Sequence, residues 1–201
     1  NGYDSVADTK LKVTDPNLVM MFDKLKDWKD KGLFAYYGAG WNDNQKPFEE
    51  GKVAFWIGSS GSFGGLQKTA TMPFSATFLP YWGSIKGAGT NSFIGGAALF
   101  AMSGKSEAEN KCVADFFQFL TSPEIQVFYH KATGYVAITK AAYEKAKAEG
   151  FYKEKPIAEV GIQQLSLPGG EWSKGYRLGF YPQIRAIMER EYNRIFSGEV
   201  T

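Results

Sequence analysis

One histidine, His130, and one cysteine, Cys112, are all that 201 residues offer of the two most versatile metal ligands. A two-histidine or cysteine-rich metal site is thereby excluded, and a single thiol cannot close an internal disulfide, so cysteine usage is neutral about compartment. An excess of charge of one sign is also lacking. The 23 basic and 21 acidic residues leave a net charge of +2, no long basic run occurs, and nucleic acid or an anionic membrane would find no strong field here. No apolar run approaches the about 18 residues of a membrane-spanning helix. The first residues, NGYDSVADTK, have neither the basic nor the apolar region of a signal peptide. A Gly-Lys-Ser/Thr phosphate loop is missing, and Gly58-Ser59-Ser60-Gly61 is one spacer short of a Gly-x-Ser-x-Gly nucleophile turn. Cys112 falls on the apolar side of a helical pattern, where burial as a small hydrophobe is expected, and His130 has no evident carboxylate to orient it. No catalytic residue, metal or cofactor is assigned.

What is present is a chain 44% hydrophobic and 16% aromatic, enough to bury a core in one or two units. Its organising stretch is VAFWIGSSGSFGGL at residues 53–66. Alternation through Val53, Phe55 and Ile57 predicts a strand, broken by glycine and serine, with a short helix at 61–69. The hydroxyls of Ser59, Ser60 and Ser62 would then stand at a helix start, where free N–H groups and the dipole favour an anion. Two readings remain open, a phosphate or carboxylate seat and a plain turn. Further strands are expected at 74–79 and 92–102, the latter interrupted by Gly95 and Gly96, which mark a bend or a ligand-facing stretch.

Helices follow from local chemistry. Asp15 and Pro16 open one that runs to Gly32, and residues 47–51 form a single turn. Ser106 with Glu109 makes a capping box, Ser122-Pro123 starts the next helix and Gly134 ends it, and Thr139 caps a third that stops at Gly150. Another helix is expected over 156–165, and Pro182 opens the last, with Arg185 in its first turn. Arg185 could clamp an anion bidentately or simply be a surface cation. Trp41, Tyr36 and Tyr37 could line a ligand site or pack beneath a loop.

Three segments together resemble the extracellular solute-binding proteins of ABC importers, and most closely their glycerol-phosphate-binding branch. They are FEEGKVAFWIGSSGS, then IGGAALFAMSGKSEAENKCVADFFQFLTSPEIQVFYHKATGYVAITKAAYE, then SKGYRLGFYPQIRAIMEREYNRIFSGEVT, and they cover almost the whole chain. The resemblance implies an α/β, type II periplasmic-binding-protein fold of two lobes joined by a hinge, with ligand in the cleft. Residues 1–91 correspond to the first part of the C-terminal lobe and 92–102 to a hinge-crossing strand. Residues 103–148 would be helices associated with the N-terminal lobe, and 149–201 the return to the C-terminal lobe. Strands of the N-terminal lobe would precede Asn1 and a final helix would follow Thr201, so a fragment of a protein roughly twice as long is expected.

By the same resemblance the ligand contacts are Ser59, Gly96, Tyr135 and Arg185. Ser60, Gly95, Trp41, Trp56 and Trp172 are possible lining residues. Arg185 would bring charge and a donor fork, Ser59 a hydroxyl, Gly96 a backbone N–H and Tyr135 a phenol from the opposite lobe. The connector reads Val136-Ala137 where the family more often has proline before Ile-Thr, and Trp56 sits just before the site, so pocket shape could differ. The function implied is capture of glycerol 3-phosphate or a glycerophosphodiester for delivery to a membrane permease. The protein would be a non-enzymatic, monomeric component with no nucleic-acid partner, periplasmic or an extracytoplasmic lipoprotein. The alternatives are a sugar or oligosaccharide binder of the same superfamily, with the tryptophans stacking on sugar faces, and a phosphoester hydrolase.

Overall fold

In the computed structural model, residues 2, 4–40 and 42–200 are described, without the side chain of Trp172. Among them the helices are α1 (Pro16–Asp30), α2 (Gln45–Glu49), α3 (Phe63–Thr69), α4 (Glu107–Leu120), α5 (Pro123–Thr133), α6 (Lys140–Ala148), α7 (Phe151–Glu154), α8 (Val160–Leu165) and α9 (Tyr181–Ser197). Short 3-10 turns lie at Ser60–Ser62, Pro156–Glu159 and Glu171–Lys174. The chain divides into two compact units, Asn1–Trp56 with Lys174–Thr201, and Ile57–Ser173.

The first unit is built around Phe196. Asp15 accepts from the Asn17 N–H at 2.9 Å and Pro16 opens α1, as the capping chemistry predicts. Phe22 of α1 packs on Tyr192 and Phe196 of α9 with ring centroids 5.0 and 6.3 Å apart. Tyr36 stacks on Phe196 from the chain after α1, and its hydroxyl donates to Asn193 at 2.8 Å. One ring thus joins two helices and a loop, and Phe196 is buried as a result. Separately, α2 buries Pro47 and Phe48, and Trp56 stacks on Phe48 at 6.0 Å.

The second unit has its core between α5, α6 and α7. Ala142 and Ala146 share one face of α6 and are wholly buried, which lets Val127, Phe151 and Tyr152 close over them. Thr139 caps α6 through the Ala142 N–H, and Ser106 and Glu109 complete the capping box of α4. Gln164 of α8 is buried, and both ends of its amide are used. Its Oε1 accepts from the Leu79 N–H at 3.1 Å and its Nε2 donates to the Thr90 carbonyl at 3.2 Å. Beside it, Asn91 donates to the carbonyls of Leu165 and Leu167.

The strand expectations are corrected. No strand is found among the described residues, and 53–57, 74–79 and 92–102 form no ladder, so the α/β class is not confirmed for this chain. The physical reason is that alternation is local whereas a strand is defined by hydrogen bonds to a neighbour. These stretches leave apolar side chains outside, Phe55 92% and Phe100 84% exposed. Cys112 is corrected likewise: it is exposed, because the α4 face that carries it lies uncovered. With the 100–105 stretch, α4 forms an open apolar groove of about 550 Å³, lined by Phe100, Met102, Cys112, Val113, Phe116 and Phe117. Uncovered apolar patches of this kind are sticky. The 201 residues expressed alone should therefore bind a hydrophobic dye or self-associate; a monomeric, dye-silent and cooperatively unfolding preparation would contradict this.

Candidate functional site

The turn at Ser59 forms as a capped start rather than an open one. Ser59 is extended (φ −80°, ψ 142°), and its Oγ accepts from the Gly61 N–H at 3.1 Å. Its carbonyl accepts from Ser62 at 3.0 Å. Two of the N–H groups expected to face an anion are thereby already engaged. The helix itself, α3, has only 7 residues.

Bare glycine surfaces bring the C-terminal end of α5 onto this turn. A Cβ at Gly61 would lie 2.7 Å from Tyr135 Cε2, one at Gly64 2.7 Å from the Ala132 carbonyl, and one at Gly134 2.7 Å from the Ser60 carbonyl. Gly61 and Gly64 are three residues apart and so fall on one face. Gly134 has φ +86° and ends α5 in the left-handed conformation, which side chains with a Cβ resist. The Tyr135 ring consequently lies on Gly61, within the same unit as Ser59, with Tyr129 at 5.8 Å on another side.

Beneath this contact is His130, 1% exposed. Its Nδ1 meets the Tyr135 carbonyl at 2.6 Å and its Nε2 the Tyr152 hydroxyl at 3.1 Å. Burial, foremost, pushes the imidazole below its ordinary pKa, the Tyr135 carbonyl opposes that, and Lys131 adds to it. Tyr152 is pushed up to about 12, first by burial and then by Tyr143 and Glu159. The linkage has a definite sign. With the folded pKa lowered, the unfolded chain takes up a proton near pH 6.5 that the folded chain refuses, so His130 costs nothing above that pH. Stability should fall as pH drops from about 6.5 towards the lower folded pKa, by at most about 1.4 kcal/mol per pH unit. Urea midpoints of the parent and of His130→Leu between pH 7.5 and 5 test this; parallel profiles would refute it.

The remaining predicted residues are placed as follows. Gly95 and Gly96 are exposed, and Gly96 has φ +103° with nothing near a built Cβ. Arg185 belongs to the other unit, one position further into α9 than expected because the helix opens at Tyr181. Its Nε donates to Glu189 at 2.8 Å with the side chain 58% exposed. The Glu189 carboxylate, ahead of Tyr181, holds the guanidinium above its ordinary range. Nearby the Tyr176 hydroxyl donates to that of Tyr181 at 2.9 Å. Ser60 is exposed, and Trp56 is half-buried on Phe48. Trp41 and the Trp172 side chain lie outside the described residues. Among those described, no three His, Cys, Asp or Glu residues gather to hold a metal, and no helix is long and apolar enough to cross a membrane.

Sequence reasoning misses Gln164 as a structural anchor because its backbone partners are distant in the chain, and His130 because a backbone carbonyl carries no residue signature. The close-approach glycines do leave a signal: Gly61 and Gly64 at helical spacing predict one bare face.

A capped serine turn meeting a tyrosine connector through bare glycines fits a solute-binding module. The model of the bacterial extracellular solute-binding protein family matches residues 1–160, and the chain belongs to that family. Over 202 aligned residues, all of this chain, it is 39% identical to the sn-glycerol-3-phosphate-binding periplasmic protein UgpB of Pectobacterium atrosepticum. The proteins of the same name in Yersinia pseudotuberculosis and Salmonella typhimurium are 38% and 37% identical over the same span. The chain covers 45%, 46% and 46% of these three relatives, a little under half their length. Membership of the family implies a two-lobed periplasmic-binding fold for the whole protein.

Proposed function

We propose that this chain is part of the substrate-binding component of an ABC importer, which captures glycerol 3-phosphate or a glycerophosphodiester outside the cytoplasm and hands it to a membrane permease. The reading rests on one observation above the others: similarity to sn-glycerol-3-phosphate-binding periplasmic proteins extends over the entire chain. The contact of the Tyr135 ring with Gly61, two residues after Ser59, supports it, since a hydroxyl and a phenol on one turn can both donate to phosphate oxygens. Arg185 would supply the charge and Gly96 a backbone donor. Ser60, Gly95 and Trp56 would line the site. The protein acts as a binder and not an enzyme.

In the whole protein, residues 1–91 and 149–201 would belong to the C-terminal lobe, 92–102 to the crossing strand, and 103–148 to helices on the N-terminal lobe. For the whole protein the reading keeps an α/β fold of two lobes.

The test is titration calorimetry on the whole encoded protein with glycerol 3-phosphate, glycerol and maltose in parallel, together with an assay for released phosphate. Glycerol 3-phosphate should bind at least about a hundredfold more tightly than glycerol, since a buried charged contact contributes about 3 kcal/mol. No phosphate should be released. Preference for maltose would install the sugar-binding reading, and sustained phosphate release the hydrolase reading.

A further inference from the structure

Tyr135 stands on a connector rather than within an element, so something must decide where its ring goes. The turn is tied on both sides. The Tyr135 N–H donates to Thr133 Oγ1 at 3.1 Å, and the Thr133 hydroxyl donates back to the Tyr129 carbonyl at 2.7 Å. Ahead of it, the Gly134 N–H donates to the His130 carbonyl at 2.8 Å. The last tie is the His130 ring. A carbonyl oxygen only accepts, so the short contact with Tyr135 makes Nδ1 the protonated nitrogen and leaves Nε2 to accept from Tyr152. Each ring nitrogen therefore has one partner of the complementary kind. A ring flip would break both bonds, and Phe151, edge-on at 5.5 Å, and Tyr152 at 5.6 Å pack against the ring.

We propose that His130, braced by Tyr152, is the positioning residue for Tyr135: by holding the Tyr135 carbonyl it fixes the phenol over Gly61 and so sets the affinity for the phosphate-bearing ligand. The proposal rests on the reading of Tyr135 as a ligand contact. His130 itself touches no ligand, being 1% exposed. Its effect must pass through the Tyr135 backbone. A histidine that merely filled the core would be replaceable by any apolar side chain of similar volume. This one donates to the backbone carbonyl of Tyr135 itself, the residue whose ring is to be placed.

The test is a double-mutant cycle read by calorimetry with glycerol 3-phosphate on the whole encoded protein. His130→Leu should weaken binding about tenfold or more, as loss of a buried positioning bond would. His130→Asn, whose amide N–H can stand in for Nδ1–H, should recover most of that. In a Tyr135→Phe background, where the phenol is gone, the same His130 change should cost less than about a factor of two. Equal losses in both backgrounds, with no recovery by asparagine, would mean that His130 serves only the core and would overturn the proposal. Should His130→Leu not fold, Tyr152→Phe, which removes the hydroxyl that braces His130 Nε2, carries the same cycle. Tyr135→Phe binding like the parent would overturn the proposal together with the reading beneath it. A costly Tyr135→Phe with an additive cycle would overturn the proposal alone. Amide hydrogen exchange at residues 134–138, without ligand, should quicken about tenfold in His130→Leu; unchanged exchange would refute the pinning directly.

Discussion

Arg185→Ala should weaken glycerol 3-phosphate binding some thirtyfold to several thousandfold, the range expected for truncating one member of a desolvated charge pair. The structure makes the alternative equally definite. In α9 the Arg185 Nε donates to Glu189 one turn later at 2.8 Å, and the side chain is 58% exposed. An arginine engaged in exposed contacts of this kind contributes little, and its replacement would leave the ligand isotherm untouched. The two roles differ by at least an order of magnitude in the measured constant. Arg185→Lys sharpens the distinction, because it keeps the charge and discards the planar fork, so it should restore part of the affinity. Calorimetry on the whole encoded protein decides. An Arg185→Ala variant that binds like its parent would remove the charge from the proposed site.

Gly134→Ala should be among the most damaging single substitutions in the chain. The backbone there has φ +86°, and a Cβ would lie 2.7 Å from the Ser60 carbonyl and 2.8 Å from Phe63 Cβ. Left-handed backbone costs an alanine about 1 to 2 kcal/mol. Forcing the Ser60 turn outward adds about 1 to 3 kcal/mol of overpacking. A loss of about 3 kcal/mol is expected, or roughly 6 to 12 °C in the midpoint of thermal unfolding. Gly87→Ala is the control, since Gly87 has φ +82° and nothing within 4 Å of a built Cβ, and it should show the backbone cost alone. If the two variants melt together, the close approach between Gly134 and the Ser60 turn does not contribute. Because that approach also seats Tyr135 on Gly61, Gly134→Ala should weaken ligand binding as well.

What could be read from the residues divides along the reach of each interaction. The caps at Asp15, Ser106 and Thr139 and the glycine stop at Gly134 were legible, because a cap is settled by side chains within a few residues of the backbone they satisfy. The strands were not, since Val53, Phe55 and Ile57 can display alternation without any neighbour to complete a ladder. For Cys112 the stripe through Val113 and Phe117 is legible, but whether anything covers it is a tertiary matter, and Cys112 is exposed. α7 is not legible because Gly150, φ +79°, reads as an ending, whereas the chain turns there and starts Phe151–Glu154 directly. At the candidate site, the residue types at Ser59 and Tyr135 were legible through the family resemblance. The bond from His130 to the Tyr135 backbone was hidden, since every residue carries the same carbonyl.

The amide of Gln164 has a mechanical side. Leu79 and Thr90 flank the 80–89 loop, and each is bonded to a different end of the same group. Rotation or sliding of α8 is thereby delivered to both feet of that loop at once, and neither foot can shift alone without breaking a bond in a buried place. Replacing the amide by a carboxylate would keep the pull on Leu79 and turn the grip on Thr90 into repulsion between two oxygens. The loop is thus geared to α8 through one rigid plane of atoms, and its excursions should keep time with that helix.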